Sequence, residues 1–196
     1  DLFLTVFQAE TNALYINEGE GYFSDVAFTA GLAVPSLAKV SWGAVFLDYD
    51  NDGWRDLFVA NGHVLDNAEL FDSSSQFRQP DQLFRNLGGD SGRLRFDLIN
   101  DEAGEAISQL RASRGVAAGD YDNDGDTDLL LLVLNERARL LRNDGGNSRH
   151  WLTVRAIGGQ GGNRDAIGAR VRVMAGDLTQ VDQVLGGGSY LSQSDL

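Results

Sequence analysis

Short apolar runs, each bounded by turn residues, recur along the first three quarters of the chain. Leu2-Phe3-Leu4-Thr5-Val6, Leu57-Phe58-Val59-Ala60 and the run 129–134 have strand length and strand composition, and none is long enough for a globular helix. Each is followed by a second landmark: Leu14-Tyr15-Ile16-Asn17-Glu18-Gly19, Leu83-Phe84-Arg85-Asn86-Leu87-Gly88, and Leu140-Leu141-Arg142-Asn143-Asp144-Gly145. These read as strands running into Asn/Gly hairpin turns. A third landmark, Gly21-Tyr22-Phe23-Ser24-Asp25-Val26 or Arg93-Leu94-Arg95-Phe96-Asp97-Leu98, occurs in two units. A fourth, Ser41-Trp42-Gly43-Ala44-Val45-Phe46-Leu47 or Ser113-Arg114-Gly115-Val116-Ala117-Ala118-Gly119, leads into the next unit. Self-similarity of this kind decides the architecture. Units of about four short strands in meander order, none able to bury both faces alone, build a β-propeller. The stretch 62–82 is an insertion, polar and Ser-rich, expected as a surface loop, and the one helix candidate lies near 102–110.

Between the fourth landmark and the next apolar run stand Asp48-Tyr49-Asp50-Asn51-Asp52-Gly53-Trp54-Arg55-Asp56 and its copy Asp120-Tyr121-Asp122-Asn123-Asp124-Gly125-Asp126-Thr127-Asp128. Counted from the first Asp, carboxylates occupy positions 1, 3, 5 and 9 and glycine position 6, which is calcium-loop spacing. Ca²⁺ takes six to eight oxygens at roughly 2.3–2.6 Å, and a loop coiled about it turns alternate side chains inward. Carboxylates about 4 Å apart repel by roughly 4 kcal/mol per pair at an effective dielectric near 20, so a cluster of four is a poor turn motif without a cation. The expected ligands are Asp48, Asp50, Asp52 and Asp56 with the Trp54 carbonyl, and Asp120, Asp122, Asp124 and Asp128 with the Asp126 carbonyl, giving two Ca²⁺ sites. Position 7 supplies only its backbone, so its side chain is free to vary. An EF-hand is excluded, because position 12 is Val59 or Leu131 and strands flank the loops instead of helices. Asp1 aligns with position 9 of such a loop, and the expectation is a parent protein with further repeats upstream, its open blade edges met by the remaining chain or by another subunit.

From His150 the pattern changes. Residues 151–157 alternate like a half-buried strand, 158–162 form a glycine-rich turn, 169–174 alternate again with arginine outward, and 176–177 turn into a strand over 180–185. The fold expectation is therefore all-β: a partial propeller of two to three four-stranded blades over 1–149, then a small antiparallel β module over 150–196 that is expected to continue beyond Leu196.

The net charge of -13, with nine of the acids in the two loops, and the absence of any Lys/Arg run speak against nucleic acid and anionic membrane surfaces. No apolar run approaches a membrane span, so membrane insertion is not expected. The chain has no Cys, hence neither disulfides nor thiolate chemistry. His63 and His150 lie in different units, so a His-centred metal site or triad has little to work with, and His63 reads as a loop residue. The glycines of 158–162 lack a following Lys-Ser/Thr, and Ser189 and Ser192 lack a nucleophile-elbow context. Arg111, Arg114, Arg164 and Arg170 read as solvated or paired with surface acids, and Trp42, Trp54 and Trp151 as core or rim packing.

The paired Asp-Tyr-Asp-Asn-Asp-Gly loops, each followed by Asp-Leu-(Phe/Leu) and then Leu-(Phe/Leu)-Arg-Asn, resemble FG-GAP or VCBS-type propeller repeats. The tail, with His150-Trp151-Leu152-Thr153-Val154, Asn163-Arg164-Asp165-Ala166-Ile167-Gly168-Ala169-Arg170-Val171 and Gly187-Gly188-Ser189-Tyr190-Leu191-Ser192-Gln193-Ser194-Asp195, resembles the ASPIC/UnbV module that follows such repeats in the cartilage acidic protein 1 family. The resemblance implies a calcium-stabilised, extracellular, cell-surface or bacterial-envelope module that binds or adheres to a protein or glycan and is not an enzyme. Two other classes fit the sequence: a polysaccharide-acting enzyme on a propeller scaffold, and a structural filament or matrix subunit.

Overall fold

The computed structural model describes residues 1–88, 93–159, 161–176 and 178–195. The first unit holds β1 (Leu2–Leu4), β2 (Ala13–Gly19) and β3 (Tyr22–Asp25), followed by a single helical turn, α1 (Ala33–Ser36). The second holds β4 (Ser41–Leu47), β5 (Asp56–Asn61), β6 (Gln79–Pro80), β7 (Gln82–Asn86) and β8 (Phe96–Leu98). After α2 (Glu105–Ser108) come β9 (Leu110–Arg111) and the third unit, β10 (Ser113–Gly119), β11 (Asp128–Val133) and β12 (Arg139–Leu141). The tail contributes β13 (Arg170–Ala175) and β14 (Leu178–Gln183). Every pairing is antiparallel, and the orders β1-β2-β3, β4-β5-β7-β8 and β10-β11-β12 are the meanders that the repeat implies. The molecule is all-β in its main elements, of propeller type, and its described sheets do not close into a barrel.

Strand β5 shows why the repeats stack. All six of its residues are buried, because alternate side chains enter different cores. Leu57 and Val59 join Leu14, Phe84 and Phe96 on the side of the first unit. Phe58 and Ala60 join Leu83, Val116, Leu129 and Leu131 on the side of the third. The same register gives β11 a buried face of Leu129, Leu131 and Val133, while Leu130 and Leu132, the counterparts of Phe58 and Ala60, are exposed. Rings of Phe3 and Phe46, 6.1 Å apart and edge to face, bridge the first and second units.

A buried polar clasp repeats with the blades. In the second unit the Asn61 amide donates to Asp81 Oδ1 at 2.9 Å, and Ser113, at the start of the third unit, donates to Asp81 Oδ2 at 3.1 Å. In the first unit the Val6 amide donates to Asn12 Oδ1 at 3.0 Å, and Asn12 Nδ2 reaches Ser41 at 3.1 Å. Asn12 and Asp81 each stand immediately before the second-landmark strand, so the serine opening each fourth landmark is the hook of the next blade. Asp81 also faces the Arg111 guanidinium at 3.6 Å, and burial pushes its carboxyl up to about 6.

Several expectations change. The insertion 62–82 is not simply a surface loop: β6 pairs with β9, Ser75 and Gln79 are buried, and Gln79 Oε1 accepts the Val40 amide at 2.8 Å. His63 is buried, its imidazole edge to face with Phe7 and its Nδ1 accepting the Leu65 amide. Arg111 is paired with an acid, but with the buried Asp81 and not at the surface, and Arg114 is held by the carbonyls of Gly62, Ser113 and His63. The helix expected near 102–110 is only the single turn α2, and Leu110 already opens β9. The run 151–157 forms no strand: it pairs with no neighbour among the described residues, and Trp151 lies against Gly125 instead. The β13–β14 hairpin does form, with Arg170 and Arg172 outward. Gln160 and Asp177, in the two expected turns, lie outside the described residues.

Candidate metal centre in the paired acidic loops

Each acidic loop joins the first two strands of its sheet, 48–56 between β4 and β5 and 120–128 between β10 and β11. Backbone amides organise both in the same way. The amides at positions 5 and 6 donate to the two oxygens of the first Asp: Asp52 and Gly53 to Asp48 at 2.9 Å each, Asp124 and Gly125 to Asp120 at 3.1 and 2.9 Å. The position 7 amide donates to the position 5 carboxylate, Trp54 to Asp52 at 2.8 Å and Asp126 to Asp124 at 3.2 Å. The last Asp is clamped from two sides. Asp56 accepts the Tyr49 and Asn86 amides at 3.1 and 2.8 Å, and Asp128 accepts those of Tyr121 and Asn143 at the same distances. The glycines take φ of +94° and +95°, and the Asn residues at position 4 take φ of 52° and 60°, the left-handed turn that coils the loop.

These amides consume one lone pair of each carboxylate oxygen they meet and fix the carboxylate plane, leaving the remaining lone pairs to converge. In the first loop Asp48, Asp50 and Asp56 bring oxygens to within 4.8 Å of one another, and in the second Asp120, Asp122 and Asp124 do so. Asp52 and Asp128 stand outside those triplets, Asp52 with Oδ2 at 3.9 Å from Arg149. Asp50 Oδ1 is buried and accepts no hydrogen bond, with the Arg149 guanidinium 3.2 Å away as its charge partner. Desolvation raises the Asp48 carboxyl above the usual carboxylate range and pushes Asp56 up to about 7. A buried carboxylate oxygen that only an exposed guanidinium meets, facing two carboxylates held above their ordinary range, is a site that a cation would relieve. The donors are all oxygen, which suits a hard cation.

The two loops also interlock, which sequence spacing does not reveal. Asn51 Nδ2 donates to the carbonyls of Gly125 and Gly146, both at 3.0 Å, and Asn143 Nδ2 donates to the Tyr49 carbonyl at 2.6 Å. Arg149 donates to the Asp50 carbonyl at 3.1 Å. Asp126 departs from expectation: its side chain is buried, with Oδ2 accepting the Gly145 amide at 3.2 Å and Oδ1 accepting none. The difference at position 7, Trp54 exposed in one loop and an acid in the other, was the available signal. Trp54 lies over Gly88, at half exposure.

The tail sits beside this centre. Asp182 pairs with Arg55, and Gln180 donates to the Gly53 carbonyl at 3.1 Å.

Stacked antiparallel units, the second and third with a nine-residue acidic loop at the first hairpin, define a propeller-type repeat protein. The comparisons carry this further: residues 48–131 match the family model of the FG-GAP-like repeat, and residues 159–196 match that of ASPIC and UnbV. The chain thus carries FG-GAP-like repeat sequence followed by an ASPIC/UnbV segment. No curated protein matches it.

Proposed function

We propose that this chain is a calcium-stabilised interaction module of an extracellular or envelope protein, without catalytic activity of its own. The observation that carries the reading is the first loop, where Asp48, Asp50 and Asp56 converge around a buried Asp50 oxygen that no hydrogen bond satisfies. Asp52 and the Trp54 carbonyl complete that ligand set, and Asp120, Asp122, Asp124, Asp128 and the Asp126 carbonyl form the second. Bound Ca²⁺ supplies positive charge that cancels the repulsion within each loop and fixes the first hairpin of two blades. The FG-GAP-like match supports this, since such repeats often bind Ca²⁺ and commonly occur in surface-associated proteins. The blade faces and the tail then present a protein or glycan ligand with a rigid surface.

Calorimetric titration of the metal-stripped chain with CaCl₂ is the test. Two binding events are expected, and Asp50→Asn should remove the first while leaving the second. No heat above dilution would overturn the proposal.

A further inference from the structure

The two acidic loops share one ligand pattern but not one charge. Residues 48–56 hold four acids and Arg55, whereas 120–128 hold five acids and no base, because Asp126 stands where the first loop has Trp54. The fold widens this difference by bringing a second arginine to the first loop. Residues 143–149, which run from the third unit to the tail, are laid across 49–51: Asn143 Nδ2 donates to the Tyr49 carbonyl at 2.6 Å, and Asn51 Nδ2 donates to the Gly146 carbonyl at 3.0 Å. The last residue of that segment, Arg149, donates from Nη1 to the Asp50 carbonyl at 3.1 Å. The same nitrogen stands 3.2 Å from Asp50 Oδ1 and 3.9 Å from Asp52 Oδ2, between the second and third carboxylates of the loop. The second loop has no equivalent. Among the described residues no basic side chain pairs with Asp120, Asp122, Asp124 or Asp128, and Arg142 pairs with Asp144 at 2.7 Å and acts on Asp122 only from farther away.

Arg149 thus occupies the place of a counter-cation. Its contact with Asp50 Oδ1 is one of charge alone, since that buried oxygen accepts no hydrogen bond, and half of the arginine side chain faces solvent. An exposed pair of this kind is weak and readily exchanged. The chain nevertheless tethers the guanidinium at the loop, so it meets an incoming ion as an intramolecular competitor. A divalent cation held by Asp48, Asp50 and Asp52 needs the same oxygens and repels a positive charge at these distances. We infer that Arg149 is the built-in counter-ion of the first loop: it neutralises Asp50 and Asp52 in the ion's absence, leaves them when a divalent cation enters, and makes the first loop the weaker of the two sites. The second loop, with one acid more and no competitor, fills first, as the dependence of calcium affinity on ligand charge requires. Arg149 is also the residue at which the repeats pass into the tail, so filling of the weaker site changes the hold on that junction. The inference rests on the calcium reading of the loops and deepens it by ranking the two sites and naming the residue that separates them.

The experiment titrates CaCl₂ calorimetrically into full chains in which a single loop can bind: Asp122→Asn leaves the first site and Asp50→Asn the second. With the first site alone, Arg149→Ala should tighten binding by about five-fold or more, and Arg149→Lys, which keeps the charge, should stay close to the parent value. With the second site alone, Arg149→Ala should change nothing. A second readout on the native chain does not pass through affinity. Modification of Arg149 by phenylglyoxal, followed by peptide mass spectrometry, should run several-fold faster in saturating CaCl₂, because the guanidinium has then left its carboxylates. A first site indifferent to Arg149→Ala, equal tightening in both loops, Arg149→Lys as tight as Arg149→Ala, or an Arg149 no more reactive with calcium than without it would each overturn the counter-ion. Those results leave the calcium reading intact, whereas chains that bind no calcium at either loop would sink that reading and the inference with it.

Discussion

Asp56 gives the sharpest test of the metal reading, because its carboxyl is buried and is pushed up to about 7 with no cation present. Against an unfolded value of 3.8 the difference is about 3.2 units, an upper bound of roughly 4 kcal/mol at 1.36 kcal/mol per unit. The sign follows from proton counting. A carboxyl whose folded value is raised keeps its proton longer in the native state, so the metal-free fold loses stability as pH rises from about 4 to about 7 and changes little beyond. Calcium favours the ionised form and removes that loss. The stabilisation by Ca²⁺ should therefore be small near pH 4 and grow to its full value above pH 7. At 100 times the dissociation constant each site contributes about 2.7 kcal/mol, so two sites shift Tm by roughly 10–20 °C for a chain of this size. Asp81, also raised by burial, to about 6, imposes a trend of the same sign, but equally with and without calcium, so the difference between the two curves isolates the loops. The assay is thermal melting of metal-stripped protein with and without CaCl₂ from pH 4 to pH 8. Calorimetry at pH 6 in two buffers of different ionisation enthalpy should add a release of about 0.9 proton for the first site, since a group titrating near 7 is about nine-tenths protonated there. A pH-independent calcium effect, or no proton release at pH 6, would refute the assignment of Asp56 as a ligand.

Three further outcomes follow from the contacts between units. Ser113→Ala removes the donor to the buried Asp81 Oδ2 and should cost about 1–3 kcal/mol in urea unfolding, with the m-value unchanged. Asp81→Asn leaves Arg111 buried without its counter-charge, so it should cost about 3–5 kcal/mol at pH 7 and also flatten the metal-independent pH dependence between about 4 and 6. Asn51→Gly keeps the left-handed turn but removes the donors to Gly125 and Gly146. It should weaken calcium binding in the second loop as well as the first, and a titration in which only the first site responds would count against mechanical coupling of the loops.

What the sequence disclosed and what it hid divide along a physical line. Spacing within a nine-residue loop is a local property: backbone sterics dictate it, so the alternation of Asp with Asn and Gly already contains the coil that Gly53 and Gly125 adopt. Strand period is local as well, so the meanders of the second and third units were legible in the runs after Asp56 and Asp128. The tail run 151–157 alternates just as cleanly, yet it finds no partner strand, and alternation without a partner leaves Trp151 to settle on Gly125. His63, Arg111 and Asp126 are polar residues whose burial depends on groups 14 to 30 or more positions away, or on the neighbouring blade, and no window of sequence contains both halves of such a contact. Comparing the copies position by position does recover part of what a window loses. Asn12 and Asp81 occupy the same place ahead of their strands, and Ser41 and Ser113 open theirs. The structure shows that these pairs form one repeated clasp, Asn12 with Ser41 and Asp81 with Ser113. Asp1 belongs to the same logic: its Oδ1 accepts the Asn17 amide at 2.8 Å, as Asp56 accepts Asn86 and Asp128 accepts Asn143. The ninth loop position thus has a structural duty independent of any ion, tying the hairpin to the following strand. Asp50 Oδ1 accepts no backbone amide and meets only the exposed Arg149 guanidinium at 3.2 Å, so a metal-binding defect with the smaller folding defect is to be sought at Asp50 and not at Asp56.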